Sequence, residues 1–228
     1  MAEEEQSSFQ NIISWVVIGT SIAFHFSLIF RVYKFIKGNI KLKDFPIIFL
    51  ILSTINNIIW IDYALLKDEA KIFITFSICA GLSIIWVTLS LIHLSNSSIK
   101  LSIIFILISI AVIGGIAYTF YFLLDPDVSI YVLYGVNPLM YLALGEKIIT
   151  ICKTKKLNLI PRFATFTGLL NTTAWLIFGI LENDTKYIII NGVGLFFVIA
   201  IIVLYFRFCC KFGGQGDIDL NDDNLVDT

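Results

Sequence analysis

Seven long apolar stretches take up most of this chain, and each is about as long as a lipid bilayer is thick. A helix that crosses the hydrocarbon core needs about 20 predominantly apolar residues. Of the 228 residues, 58% are hydrophobic and 14% are charged, a balance far more apolar than that of soluble domains. The sequence therefore predicts an all-α integral membrane protein with seven transmembrane helices, at about Ile12–Val32, Phe45–Leu65, Ile72–Leu94, Leu101–Leu124, Ser129–Ile149, Pro161–Leu181 and Tyr187–Phe208.

The basic residues are distributed unequally between the two sides of these helices. Of the 16 Lys and Arg residues, three lie on the side of the N-terminus and the remaining thirteen lie on the opposite side. Basic residues collect on the cytosolic side of membrane proteins, so we predict that the N-terminus is outside and the C-terminus is cytosolic. The acidic tail at 209–228 is predicted to be disordered. We expect a multi-pass protein of the plasma membrane, with an internal membrane as the alternative.

The chain contains an internal repeat with an offset of 115 residues. Pairs of identical residues that carry the alignment include Pro46 with Pro161, Asn56 with Asn171, and Trp60 with Trp175. The chain has only four tryptophans, so chance is a poor explanation for the shared pattern. We predict two three-helix repeats, at 10–94 and 129–208, joined by a linker helix at 99–125. Because the linker crosses the membrane once, both repeats have the same orientation.

Helix geometry brings unusual polar and aromatic residues of both repeats to one depth. At 1.5 Å per residue, Trp175 lies about 9 Å from the outer end of its helix, and Asn191 about 6 Å from the outer end of the next. Asn171 and Trp175 are four residues apart and share one face, and the repeat places Asn56 and Trp60 at the same depth. Taken singly, the asparagines fit interhelical hydrogen bonding and the tryptophans fit packing. Taken together, stacking rings and amides that both donate and accept predict a cavity that binds a polyol.

Four motifs resemble those of the SWEET family of sugar transporters, and the resemblance covers nearly all of the chain outside its tails. "KTKKLNLIP" (Lys153–Pro161), "NTTAWLIFGIL" (Asn171–Leu181) and "NGVG" (Asn191–Gly194) resemble the family's basic loop, its Trp-x-x-Tyr-Gly segment and its Asn-Gly-x-Gly. "WIDYALLKD" (Trp60–Asp68) is similar to the same Trp segment in the first repeat. Parallel repeats are known in the SWEETs. The resemblance implies passive transport of mono- or disaccharides across a lipid bilayer, without a cofactor and without a nucleic-acid partner, and it leaves a homo-oligomer open.

The resemblance also implies a substrate pocket between the two repeats. The residues at its pocket positions are Trp60, Trp175, Asn56, Asn171, Asn191, Ile22, His25, Asn137 and Met140, with Ser77 where the family usually has an asparagine. The family also commonly has a hinge proline in each of four helices. Here Pro46 and Pro161 are the hinge candidates, whereas the first segment has no proline.

The central parts of the segments carry few ionisable residues, which bears on the transport mechanism. Coupled transporters need such groups deep in the membrane, but Asp62 is near a helix end and His25 has no acidic partner within the membrane. We therefore predict a uniporter. One alternative is a related two-repeat transporter of amino acids or organic cations, whose substrates would need a counter-charge. Another is a seven-helix receptor, which the duplication and the short loops disfavour.

An enzyme is not expected, because no residue cluster has the spacing of a metal site or of an activated nucleophile. The glycines at Gly192 and Gly194 are interpreted as sites of close helix packing.

Overall fold

The computed structural model describes residues 2–41, 45–94, 126–154 and 162–211, together with positions 103 and 114, and every regular element in these ranges is an α-helix. The helices are α1 (Ala2–Ser27), α2 (Ile29–Ile36), α3 (Ile47–Leu66), α4 (Ala70–Leu94), α5 (Pro126–Thr154), α6 (Arg162–Leu181) and α7 (Thr185–Lys211). The prediction of an all-helical protein is therefore confirmed. The linker helix predicted at 99–125, the hinge candidate Pro161 and the tail beyond position 211 lie outside the described residues.

Within these ranges, five stretches are long and apolar enough to cross a bilayer: Ser8–Ile36, Ile47–Leu66, Ala70–Leu94, Arg162–Leu181 and Thr185–Arg207. The segment predicted at Ser129–Ile149 is helical over Pro126–Thr154, whose 29 residues span about 43 Å. The multi-pass membrane character is thus borne out. The layout with seven spans stays a prediction, as does the orientation in the membrane.

The first helix starts ten residues earlier than the predicted first span, because the acidic start of the chain is also helical from Ala2. Glutamate and alanine are good helix formers, and acidic side chains are favourable near a helix N-terminus. The hydropathy pattern marks only the apolar part of such a helix, so it could not locate this end.

Helix packing follows the 115-residue offset. The offset relates α1 to α5, α3 to α6 and α4 to α7. The packed pair α3 with α4 corresponds to α6 with α7, the pair α1 with α4 corresponds to α5 with α7, and the seam between α1 and α6 corresponds to the seam between α5 and α3. The residues between the α1–α6 and α3–α5 seams are therefore enclosed by helices from both halves of the chain.

Two matching turns join the helices at one end of the bundle. Asp68 and Asn183, which are 115 residues apart, have φ angles of 56° and 53°. The amides that follow them, at Glu69 and Asp184, each donate a hydrogen bond five residues back, across 2.9 Å. Asp and Asn adopt the left-handed conformation that closes a helix more readily than other residues with a side chain. We call this end the outer end, because the charge distribution predicts that it faces outside.

The first span is interrupted at Leu28, although it contains no proline. The indole nitrogen of Trp86 on α4 donates to the carbonyl oxygen of His25 across 3.0 Å. The Leu28 amide reaches the same oxygen only at 3.4 Å and with a three-residue spacing. A side chain that inserts into the backbone ladder is one of the recognised causes of a helix break. The interruption therefore comes from a neighbouring helix.

One of the two glycines in the last span allows close packing. A Cβ atom added at Gly194 would overlap the ring of Tyr141 on α5, whereas one added at Gly192 would meet no atom within 4 Å. The interpretation as close helix packing is confirmed for Gly194. At Gly192 the space is open.

Candidate functional site

A polar cavity of about 50 Å³ lies in the middle of the bundle, between helices of both repeats. It separates two apolar clusters. The cluster towards the outer end includes Ile59, Trp60 and Trp175, and the one towards the other end includes Leu28, Phe49 and Trp86. Buried water or a ligand requires polar partners, and this cavity has several of them. It is the candidate binding site.

Eight of the ten predicted pocket residues line this cavity: Trp60, Trp175, Asn56, Asn171, Asn191, His25, Asn137 and Met140. The structure does not bring Ile22 and Ser77 to it. Ser21 lines the cavity in place of Ile22, and Phe76 lines it in place of Ser77. Each prediction was displaced by one residue, which turns a helical side chain by about 100°.

The position of Phe76 follows from the internal repeat. The 115-residue offset pairs Phe76, not Ser77, with Asn191. An aromatic ring in the first repeat therefore occupies the position that an amide occupies in the second. The site lacks the amide that the family usually has on the helix corresponding to α4.

Four nearly parallel aromatic rings form a layer at the outer side of the cavity, one each from α3, α4, α6 and α7. Trp60 stacks on Phe76 with ring centroids 5.2 Å apart and on Tyr187 at 5.3 Å. Trp175 stacks on the same two rings at 5.6 and 5.4 Å. The two tryptophans are 6.3 Å apart, inclined by 23°. Three of these rings, those of Trp60, Phe76 and Trp175, line the cavity.

Asparagine side chains from both repeats also line the cavity, and one of their hydrogen bonds crosses a helix seam. Asn137 Nδ2 donates to Asn56 Oδ1 across 2.7 Å, which joins α5 to α3. Asn191 Nδ2 donates to the carbonyl oxygen of Tyr187 across 2.9 Å, within α7. In the described part of the chain, the nitrogen of Asn56 and the oxygens of Asn137 and Asn191 form no hydrogen bond. The cavity therefore has both a donor and acceptors available for a ligand.

Ser21 connects the first helix to the second repeat. The indole nitrogen of Trp175 donates to Ser21 Oγ across 2.9 Å, and this hydroxyl donates to Asn171 Oδ1 across 2.8 Å. The indole is therefore held in one orientation before any ligand arrives. Such preorganisation reduces the ordering that binding would otherwise require.

His25 sits in a buried network on the first-repeat side of the cavity, where its side chain is 5% exposed. Its Nδ1 is 2.9 Å from the carbonyl oxygen of Ser21. Its Nε2 is 3.0 Å from Asn57 Nδ2 and 3.3 Å from Ser53 Oγ. Asn57 Nδ2 also donates to Ser83 Oγ across 3.3 Å. The network joins α1, α3 and α4.

The prolines occupy different positions from the expected hinges. Pro46 precedes the first residue of α3, so it does not interrupt a helix. Pro138 lies inside α5, directly after Asn137. A proline inside a helix cannot donate the usual backbone hydrogen bond and so loosens the helix locally. The described hinge candidate next to the cavity is therefore Pro138, whereas Pro46 is a helix start.

The residues that sequence reasoning missed include Ser21, Ser53, Asn57 and Tyr141. Helical spacing links three of them to predicted residues, because Ser21 is four residues before His25, Ser53 is three residues before Asn56, and Asn57 is four residues after Ser53. Tyr141 had no such signal, because its contact with Gly194 is between residues distant in sequence. Within the described residues, no group of three or more His, Cys, Asp or Glu side chains could hold a metal ion.

The chain is similar to one protein family and to solved structures. Residues 134–211 match a family model described as "Sugar efflux transporter for intercellular exchange". Among solved structures, the fold matches that of a eukaryotic SWEET transporter determined at 3.7 Å resolution, with a TM-score of 0.66 and 14% sequence identity. The match covers 87% of this chain and 99% of that one. No curated sequence is significantly similar to the chain. The resemblance to the SWEET sugar transporters is therefore confirmed: the chain has their all-helical membrane fold, and its last third carries the sequence pattern of the sugar efflux family.

Proposed function

We propose that this protein is a uniporter that moves mono- or disaccharides across a membrane by alternating access. The observation that carries this proposal is the cavity at which aromatic rings and amides of both halves of the chain converge. A sugar ring presents C–H faces that pack on aromatic rings and hydroxyl groups that both donate and accept hydrogen bonds. The cavity offers a partner for each of these.

The lining of the cavity favours a neutral substrate. Its described residues include no Asp, Glu, Lys or Arg, and His25 is the one titratable nitrogen group among them. A zwitterionic amino acid or an organic cation would enter without a counter-charge, at a high desolvation cost. A sugar needs none.

The size of the cavity supports a mechanism in which the walls move apart. A volume of about 50 Å³ holds a few water molecules and is too small for a hexose ring. The two tryptophans are also in stacking contact with shared neighbours, without room for a ring between them. Substrate entry therefore requires the helices of the two repeats to separate at one end, which is the movement that alternating access describes.

Uptake of radiolabelled solutes into proteoliposomes tests this function. We expect glucose, fructose, galactose or sucrose to enter faster than into protein-free liposomes, and we expect unlabelled sugar to compete. Choline and a panel of amino acids serve as the alternative substrates. Uptake of these without uptake of any sugar would replace the proposal with the amino-acid or cation transporter.

For the arrangement in the membrane we propose seven spans in a 3+1+3 order, with the N-terminus outside, in the plasma membrane. Two exposed turn residues provide the test, Asp68 at the outer end and Asn39 at the other. In a cysteine-free background in intact cells, Asp68→Cys should react with an impermeant maleimide and Asn39→Cys should react only after permeabilisation. The reverse pattern contradicts the proposed orientation. A failure of both variants to react until the cells are permeabilised places the protein in an internal membrane.

A further inference from the structure

The buried position of His25 fixes which of its nitrogens carries hydrogen. A carbonyl oxygen can only accept, so the contact of 2.9 Å between Nδ1 and the Ser21 carbonyl requires hydrogen on Nδ1. No acidic side chain among the described lining residues would compensate a buried imidazolium. The ring is therefore neutral, and its Nε2 is an acceptor.

This tautomer in turn fixes the side chain of Asn57. With Nε2 as an acceptor, the atom 3.0 Å away must be the amide nitrogen of Asn57, and the second hydrogen of that nitrogen points to Ser83 Oγ at 3.3 Å. Both amide hydrogens are then in use. The amide oxygen forms no hydrogen bond within the described residues, although Asn57 lines the cavity and the side chain as a whole is only 1% exposed.

We propose that the side-chain oxygen of Asn57 accepts a hydrogen bond from one hydroxyl group of the transported sugar. His25 and Ser83 are positioning residues that keep this oxygen, rather than the amide nitrogen, directed to the cavity. This inference rests on the proposed sugar transport. It adds a contact that determines specificity, since a site built to bond a hydroxyl rejects analogues that lack it.

The contact comes from one repeat alone. At the positions related by 115 residues, the second repeat has Met140 for His25, Thr172 for Asn57 and Val198 for Ser83. The Thr172 hydroxyl donates back to the carbonyl oxygen of Gly168 in its own helix, across 2.9 Å. A sugar in the cavity therefore meets this acceptor on one side only, and the acceptor distinguishes one hydroxyl from the others.

Monodeoxyfluoro sugars test this acceptor, because fluorine replaces the size of a hydroxyl but cannot donate a hydrogen bond. Derivatives of glucose with fluorine at each position in turn compete with radiolabelled glucose for uptake into proteoliposomes. For the wild type, we expect fluorine to weaken competition about ten-fold or more at the position whose hydroxyl donates to Asn57. In Asn57→Leu, that single penalty should disappear while the pattern at the other positions stays.

Three further variants separate recognition from folding. Asn57→Thr copies the second repeat and should lose the same penalty, which covers the case in which Asn57→Leu does not fold. His25→Met should reduce the penalty at that position and no other, whereas a merely structural role would weaken competition by all derivatives equally. Thr172→Val is the matched control and should keep the wild-type profile.

An unchanged fluorosugar profile in Asn57→Leu and Asn57→Thr, with wild-type transport of glucose, would overturn the inference and leave the proposed function intact. Absence of any sugar uptake by the wild-type protein would overturn the proposed function, and this inference with it.

Discussion

The two repeats share their aromatic and amide positions but differ on the side of the cavity away from the outer end. Trp60 matches Trp175 and Asn56 matches Asn171, and all four line the cavity. The first repeat alone adds a buried polar network, built from His25, Ser53, Asn57 and Ser83. The second repeat has Met140, Gly168, Thr172 and Val198 at the related positions.

This difference shows how a duplicated bundle can hold an asymmetric ligand. Shared residues supply the packing and the stacking surfaces, for which approximate symmetry is sufficient. At Gly168, the counterpart of Ser53, the space that a side chain would occupy is filled by the ring of Phe24. An added Cβ atom would lie 3.2 Å from this ring. At the positions of this network, the second repeat is thus largely apolar and tightly packed, while the first repeat is polar.

The largest expected effect on sugar uptake comes from removing either of the tryptophans that the two repeats share. Trp60→Ala and Trp175→Ala should each reduce sugar uptake by about ten-fold or more, since each removes a stacking surface and one member of the aromatic layer. Uptake per inserted protein measures this. Because the loss of a buried tryptophan also destabilises the fold by about 3–5 kcal/mol, Trp→Phe variants at both sites should retain folding and more activity.

Trp15→Ala is the matched control for this comparison. Trp15 is 61% exposed on α1, so its removal should leave uptake close to that of the wild type. Normal uptake in both Trp60→Ala and Trp175→Ala would rule out the stacking site.

A second test adds a Cβ atom at a glycine whose counterpart in the other repeat carries a side chain. Gly194 is related to Cys79, which is fully buried in the first repeat, but at Gly194 a Cβ atom would overlap the Tyr141 ring. Gly194→Ala should therefore lower stability by about 1–3 kcal/mol, as overpacking does. The thermal unfolding midpoint of the purified protein measures the change. Gly192→Ala, where the space is open, should be neutral or slightly stabilising, and equal destabilisation by both variants would contradict the packing argument.

A third test removes one partner from the first-repeat network. Ser83→Ala leaves one buried amide hydrogen of Asn57 unpaired, which should lower stability by about 1–3 kcal/mol. Ser90→Ala is the control, because Ser90 is equally buried on the same helix but its hydroxyl bonds only to the Trp86 carbonyl of that helix. Thermal unfolding of both variants should show a larger loss for Ser83→Ala. Equal losses would indicate that the network contributes little.

The last expected effect is an absence of change. Proteoliposomes with equal sugar on both sides and an imposed proton gradient should show no net accumulation, because no carboxylate of the described residues lines the cavity. Sustained uphill uptake would contradict the uniporter. His25 would then be replaced first, and Asp62 second, because this carboxyl is buried and its Oδ2 has no hydrogen-bond partner among the described residues.

The sequence was most informative where both repeats carry the same signal. The tryptophans and Asn56 with Asn171 were predicted because each has its counterpart 115 residues away. Ser53 is paired with Gly168, and Asn57 is paired with Thr172, a residue of a different type, so the duplication did not indicate them. Ser77 was predicted from the position at which the family usually has an asparagine, whereas the internal repeat pairs Phe76 with Asn191, and it is Phe76 that lines the cavity. The break at Leu28 depends on Trp86, which is distant in sequence, so no local pattern could reveal it.

Ser21 makes the two sides of the site energetically dependent on each other. Its hydroxyl fixes the indole of Trp175, and its carbonyl oxygen fixes the tautomer of His25. Residues that share a partner give non-additive effects when both are changed, often by 0.5–3 kcal/mol. The combined effect of substitutions at Trp175 and His25 should therefore differ from the sum of the two, although one residue serves stacking and the other serves hydrogen bonding. An attempt to redesign the substrate preference of one side would change the other through this serine.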